Sequence, residues 1–274
     1  GAGKSTTISM MSTLLKPTSG DVKLNGKSVL KDPWNLRKVL GVVPQEIALY
    51  NELSAYENLK FFGRIYRVPK KQLEDRIQAT LEMVGLTERQ NDLVKKFSGG
   101  MKRRVNIATA LLHNPKILIL DEPTVGIDPQ SRNYILEMIL KLNEQQGTTV
   151  LYTSHYMEEV EKLCDRVYIM DHGKVIASGT KSELLSILSN EDTIRVQLNQ
   201  ITATFLQKVQ GIEVVRQVEE SGDELKIIAK KASNFISDLV KIADHHDIQI
   251  LNFQMKNPSL EDVFLHLTGR TLRD

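Results

Sequence analysis

Two adjacent carboxylates, Asp121 and Glu122, follow directly on the aliphatic run Ile117-Leu118-Ile119-Leu120. Side by side at a buried strand end, such groups repel each other unless a cation or a proton lies between them. Mg²⁺ is the simplest occupant, with one acid tied to the metal and the other free to take a proton. At the start of the chain, Gly1-Ala2-Gly3-Lys4-Ser5-Thr6 is the end of the phosphate-binding pattern G-x-x-x-x-G-K-[ST]. Small residues there let backbone N–H groups close around phosphate oxygens, and a helix N-terminus adds positive potential. Lys4 would reach β- and γ-phosphates, and Ser5 would ligate Mg²⁺.

Three further stretches could serve the same chemistry. In Phe97-Ser98-Gly99-Gly100-Met101, Ser98 is a good N-cap and the two glycines expose N–H groups at a helix start. With Lys102, Arg103 and Arg104 behind them they form a second anion site. That site either grips a different anion or closes over the nucleotide of another copy. Gln45, leaving a short apolar strand at Pro44, can reach a metal or an attacking water. His155, at the end of a β-branched stretch, can donate to a γ-phosphate. Read alone, Gln45 is a surface residue and His155 a satisfied histidine; the neighbouring motifs give them a role. His245-His246 is not a metal pair, because adjacent helical residues point apart.

The elements that must position these groups follow from pattern. The run before Asp121 reads as a strand buried on both faces, as in the middle of a parallel sheet, with its acids at the end where open α/β sheets hold ligands. Residues 4–15 read as the helix after the phosphate loop, and 21–30 as a hairpin turning at Asn25-Gly26. From 54 to 112 the pattern is helical, opening on a Ser54/Glu57 capping box and including an amphipathic helix over 70–84 that stops at Gly85. A helix runs from Ser98 to about His113, another over 131–143, a strand over 148–155, a helix over 157–163, and a hairpin over 167–178. Near Asn190 the character changes. Strands at 193–198, 213–218, 225–229 and 248–253, with helices over 203–209 and 234–245, give the order βαββαβ. A last helix follows Pro258.

Composition excludes little else. The chain has 274 residues, a formal net charge of +2 and one cysteine, Cys164, so no internal disulfide forms and no cysteine zinc cluster is available. The nearly balanced charge argues neither for nor against a nucleic-acid partner. No apolar run approaches the roughly 20 residues that span a bilayer. The phosphate pattern's first glycine and its feeding strand would lie before residue 1, so the chain reads as truncated at its N-terminus.

The set GAGKST, VVPQE, FSGGMKRRV, ILILDEPTVGID and YTSH, in that order, resembles the ATP-binding subunit of an ABC transporter over residues 1–190. The tail PSLEDVFLHLTGR resembles subunits of bacterial exporters of drugs, antibiotics or lipids. One departure is Met101, where many members carry Gln. The resemblance implies a P-loop NTPase core over 1–190, with a helical subdomain over about 54–112 and a small α+β domain over 191–274. It implies ATP and Mg²⁺ as ligands. Gly1, Ala2, Gly3, Lys4, Ser5 and Thr6 would match the phosphate loop, Asp121 the Mg²⁺-organising acid and Glu122 the general base. Gln45 would sense metal and water, His155 the γ-phosphate, and Asp128 would lie in a loop crossing a dimer interface. Ser98, Gly99 and Gly100 would bind the γ-phosphate of the opposite subunit, so that two copies sandwich two ATPs head to tail. The implied partners are a second ATPase subunit and a separate transmembrane permease, at the cytoplasmic face of the cell membrane, without nucleic acid. The alternatives are a soluble ABC-type ATPase acting in translation or on DNA, and a nucleotide-binding regulator without turnover.

Overall fold

The computed structural model describes residues 2–188, 191–230, 235–256 and 258–269; Gly1 lies outside them. The chain divides into two compact units, Gly1–Cys164 with Met170–Lys174, and Asp165–Ile169 with Val175–Asp274.

In the first unit, α1 (Lys4–Met11) precedes a short hairpin of β1 (Lys23–Leu24) and β2 (Lys27–Ser28). Asn25 and Gly26 both have positive φ at its turn, as a two-residue hairpin with the strands' own twist requires. Then come α2 (Pro33–Arg37), β3 (Leu40–Val43), α3 (Ala55–Ile65), α4 (Lys70–Met83), α5 (Gly99–Leu111), β4 (Ile117–Asp121), α6 (Pro129–Gln146), β5 (Thr149–Thr153) and α7 (Met157–Leu163). Strands β3, β4 and β5 form a parallel sheet with β4 in the middle, as its unbroken aliphatic run requires. The register sets Asp121 opposite Thr153.

Helix α5 is the core helix, with Val105, Ile107, Ala108 and Ala110 fully buried. It lies so close to β3 that a Cβ on Gly41 would sit 2.6 Å from the Ala110 carbonyl oxygen, which explains glycine there. The capping box at Ser54 and Glu57 starts α3, and Gly85, at φ 63°, closes the turn after α4. Two expected elements are shorter than their patterns suggest. Helix α1 stops at Met11, short of residue 15, because Thr13 takes φ 62° and the N–H groups of Leu14 and Leu15 turn back to the Ser9 carbonyl. Strand β5 stops at Thr153, short of residue 155, because the Ser154 hydroxyl accepts from the Tyr156 N–H in a local turn. His155 therefore sits in a loop beyond the strand.

A hairpin of β6 (Val167–Asp171) and β7 (Lys174–Gly179) is followed by α8 (Lys181–Leu185). Next come β8 (Glu191–Leu198), α9 (Ala203–Gln210), β9 (Val215–Ser221), β10 (Glu224–Lys230), α10 (Phe235–His245), β11 (Ile250–Lys256) and α11 (Leu260–Thr268). The last four strands make an antiparallel sheet in the order β11-β8-β10-β9, the split βαβ arrangement that the βαββαβ pattern predicts. Its core joins Ile194, Val196, Leu225 and Ile227 of the sheet to Phe205 of α9 and Leu239 of α10. Ser259 and Asp262 form a capping box at the start of α11, and the Lys226 ammonium reaches Asp262 at 2.6 Å.

Candidate active site

Glu122 is the meeting point of the first unit's polar groups. Lys4 Nζ lies 2.9 Å from its Oε1, while His155 Nδ1 and Gln45 Nε2 each lie 3.5 Å from Oε2. Four segments far apart in sequence thus converge at the C-terminal end of the central strand. The Glu122 backbone is in the left-handed region, φ 46°, unusual for a residue with a Cβ and most often tolerated where function requires it. Its N–H is held by the carbonyl oxygen and Oγ1 of Thr153, at 3.2 and 3.1 Å. Asp121 beside it is buried and accepts from Thr153 Oγ1 at 2.7 Å.

Each of the two acids meets a separate partner in the fold. Asp121 has the Thr153 hydroxyl, and Glu122 has the Lys4 ammonium. Burial pushes the Glu122 carboxyl up, but the hydrogen bond and charge of Lys4, helped by His155, outweigh it and leave the pKa below the ordinary glutamate value.

Helix α1 begins at Gly3, φ 94°, and no side chain caps it, so its first N–H groups are available to an anion. A Cβ at Gly3 would approach the Gly173 Cα at 3.2 Å, and the Ala2 carbonyl accepts from the Gly173 N–H at 3.0 Å. Ser5 and Thr6 are exposed on this first turn. Ser5, Gln45 and Asp121 offer oxygen donors suited to a hard cation such as Mg²⁺. Among the described residues no group of three or more His, Cys, Asp or Glu is placed to hold a metal.

The second glycine motif starts α5, where Ser98 Oγ accepts from the Met101 N–H at 3.3 Å. Its two glycines differ. A Cβ on Gly100 would collide with Ser131 Oγ at 2.1 Å, whereas on Gly99 the nearest atom would be Ile127 Cδ1 at 3.9 Å. Gly100 is thus packed against the start of α6, where Asp128 caps by accepting from the Ser131 N–H at 2.9 Å, and Gly99 faces open space. No hydrogen bond or ion pair among the described residues joins this tip to Lys4 or Glu122.

The basic run behind the tip differs from expectation. Arg103 is buried and donates to the carbonyl oxygens of Pro44, at 2.7 Å, and Gln45; Arg104 donates to the Val84 carbonyl at 2.9 Å and stacks on Tyr134. Neither supports an anion. Asn106, one turn on, accepts from the Ala48 N–H at 3.3 Å. Helix α5 therefore carries the Gln45 segment on two buried side chains. The spacing of Arg103 with Ile107 and Ala110, on the helix's buried face, was the signal for this. Thr153, which serves both acids, had no signal beyond the strand itself.

Comparison with known proteins agrees with this geometry. The family model described as ABC transporter matches residues 1–125. The linearmycin resistance ATP-binding protein LnrL of Bacillus subtilis (strain 168) is 49% identical over 276 residues, covering 100% of this chain and 88% of that protein. The chain belongs to the ATP-binding proteins of ABC transporters. The daunorubicin/doxorubicin resistance ATP-binding protein DrrA of Streptomyces peucetius is 34% identical, over 100% of this chain and 83% of that one. Among solved structures, the ATP-binding subunit of an ABC transporter aligns with TM-score 0.60 at 32% identity, over 69% of this chain and 78% of that chain. A dimeric ATP-binding cassette in a post-hydrolysis state with ADP and Pi aligns with TM-score 0.59 at 28% identity, over 65% and 81% of the two chains. The protein is thus an ABC ATPase on a P-loop NTPase fold, which binds and hydrolyses ATP. Proteins of its family dimerise and work with membrane permeases. No helix among the described residues is long and apolar enough to cross a membrane.

Proposed function

We propose that this ABC ATPase powers export of a drug-, antibiotic- or lipid-like compound through a separate permease, from the cytoplasmic face of the cell membrane. The relatives named for linearmycin and daunorubicin resistance support that class of substrate, and so does the "Nod factor export" protein of Ralstonia nicotianae, 35% identical over the whole chain. None of these relatives favours a role in translation or on DNA.

The observation that carries the catalytic reading is the convergence of Lys4, Gln45 and His155 on Glu122. Glu122 is the general base that takes a proton from the attacking water. The uncapped start of α1, with Gly1, Ala2, Gly3, Lys4, Ser5 and Thr6, holds the phosphates. Ser5, Gln45 and Asp121 hold Mg²⁺, which supplies charge neutralisation at the phosphates. His155 donates to the γ-phosphate. Ser98, Gly99 and Gly100 serve the ATP of a second ATPase subunit, across an interface that includes Asp128. Phosphoryl transfer needs position and charge more than covalent chemistry, so splitting these groups between protomers makes turnover depend on pairing.

A bound phosphate and Glu122 compete for the charge of the Lys4 ammonium. Nucleotide binding draws the ammonium away from the carboxylate, which then regains basicity at the moment a base is needed. The test is Glu122→Gln in the full-length protein. A general base contributes about 10²–10⁴-fold. Turnover should fall within that range while ATP still binds and the dimer accumulates; unchanged turnover overturns the assignment.

A further inference from the structure

Behind the reacting groups lies a carboxyl that the mechanism above does not use. Glu159, in the first turn of α7, is 3% exposed. Its Oε2 accepts three hydroxyl hydrogen bonds, from Thr124 at 2.9 Å, Tyr152 at 2.8 Å and Ser154 at 2.8 Å. Its Oε1 faces Arg132 Nε at 3.6 Å, close enough for charge attraction but too long for a hydrogen bond, so neither atom has a hydrogen-bond partner. Four elements thus meet on one side chain: the loop after β4, the end of β5, α6 and α7.

The partners are not arbitrary with respect to the site. Thr124 lies two residues beyond Glu122, and Ser154 immediately precedes His155. Ser154 also accepts from the Tyr156 N–H at 2.9 Å, which fixes the backbone on both sides of His155. The Tyr156 ring packs on the His155 ring with centroids 4.2 Å apart, and the Arg132 guanidinium covers the Tyr156 ring at 4.6 Å. Glu159 therefore reaches His155 by two routes, through the Ser154 backbone turn and through the Arg132–Tyr156 stack.

We infer that Glu159 is a positioning residue for His155, holding its imidazole against Glu122 and in line with the γ-phosphate. The inference rests on the role proposed for His155 above. A solvated glutamate in a first turn would serve only the helix dipole. A buried one saturated on one oxygen by hydroxyls from two strand ends fixes those ends relative to each other. Misplacing a reacting group by about 1 Å can cost a factor of 10² in rate.

The test uses the full-length protein and measures steady-state ATP hydrolysis. Glu159→Ala should lower kcat by roughly tenfold or more, with KM for ATP held within about twofold. Glu159→Gln should recover most of the loss, because its amide oxygen can accept the same hydroxyls. In a His155→Ala background Glu159→Ala should cost nothing further, since residues acting as one unit are not additive. Should Glu159→Ala fail to fold, Ser154→Ala, which removes one donor and the turn at Tyr156, gives a smaller kcat loss that also vanishes with His155→Ala. Full turnover in His155→Ala alone sinks the role of His155 and this inference with it. A loss in His155→Ala that adds to that of Glu159→Ala, or of Ser154→Ala, sinks the positioning role alone.

Discussion

Competition between Glu122 and phosphate for Lys4 has a measurable consequence in nucleotide affinity. The ion pair is 2.9 Å long, with side-chain exposures of 31% for Lys4 and 17% for Glu122. Exposed ion pairs contribute 0.2–1 kcal/mol and charge-assisted hydrogen bonds about 1.5–3 kcal/mol. A half-buried pair still reached by solvent belongs near about 1 kcal/mol, and nucleotide must give that back on binding. Replacing Glu122 removes the competitor, so affinity should rise by about fivefold, on the scale where 1.4 kcal/mol is tenfold. ADP is the nucleotide to use. It offers Lys4 a β-phosphate but no γ-phosphate, so tighter binding cannot come from a trapped closed dimer. Titration of fluorescent ADP into wild type, Glu122→Gln and Glu122→Ala at low and high salt reads the effect. Both variants should bind more tightly, the gain should shrink as salt screens the pair, and it should disappear when Lys4→Ala is added. A gain for ATP with none for ADP, or a gain that survives Lys4→Ala, would refute the competition.

Other perturbations read other parts of the molecule. Gly99→Ala should leave the melting temperature unchanged while abolishing turnover, because a methyl there meets only Ile127 yet stands where an anion must approach; Gly100→Ala should lower the melting temperature by forcing α5 off Ser131. Arg103→Met leaves the Pro44 and Gln45 carbonyls without their donor, and calorimetry should show a loss of about 1–3 kcal/mol together with reduced turnover. In the second unit, burial raises the Asp262 carboxyl, but hydrogen bonds from Lys226 and Ser259 outweigh it and hold its pKa below the ordinary aspartate value. Its stabilisation is therefore complete above the unfolded value near ~3.9 and is lost as pH falls through the lower folded one. Lys226→Met should weaken that acid-side dependence, leaving the part that Ser259 supplies, and cost about 3–5 kcal/mol, followed by urea unfolding across pH 3–6.

What could be read from residue order was whatever local pattern dictates. Ile117 to Glu122 reads as a central strand with acids at its end, because a short aliphatic run closed by a proline exit suits a strand buried on both faces. Asn25-Gly26 fixes a hairpin because both central residues need positive φ. The βαββαβ order followed from alternation and length. Where the pattern was ambiguous, contacts remote in sequence decided. The run Lys102-Arg103-Arg104 reads as a basic surface, yet two of its members donate to carbonyls 58 and 20 residues away, at Gln45 and Val84. Glu159 reads as an ordinary first-turn acid of α7, and only folding brings Thr124, Tyr152 and Ser154 onto it.

The paired acids show why local reading stops where it does. Adjacency alone demands that something separate Asp121 from Glu122, and an ion or a proton is the simplest answer. The fold also gives the two acids separate partners. Parallel pairing of β4 with β5 places the Thr153 hydroxyl on Asp121 and its carbonyl and hydroxyl on the Glu122 N–H, with Glu122 in a left-handed turn. In that turn Glu122 meets groups other than those of Asp121. One acid is built into the sheet and the other is left to Lys4, Gln45 and His155. The side chain that shares its carboxylate with the Lys4 ammonium is the one whose charge state can follow the nucleotide, and that is the property a base needs if it is to act only when phosphate is bound.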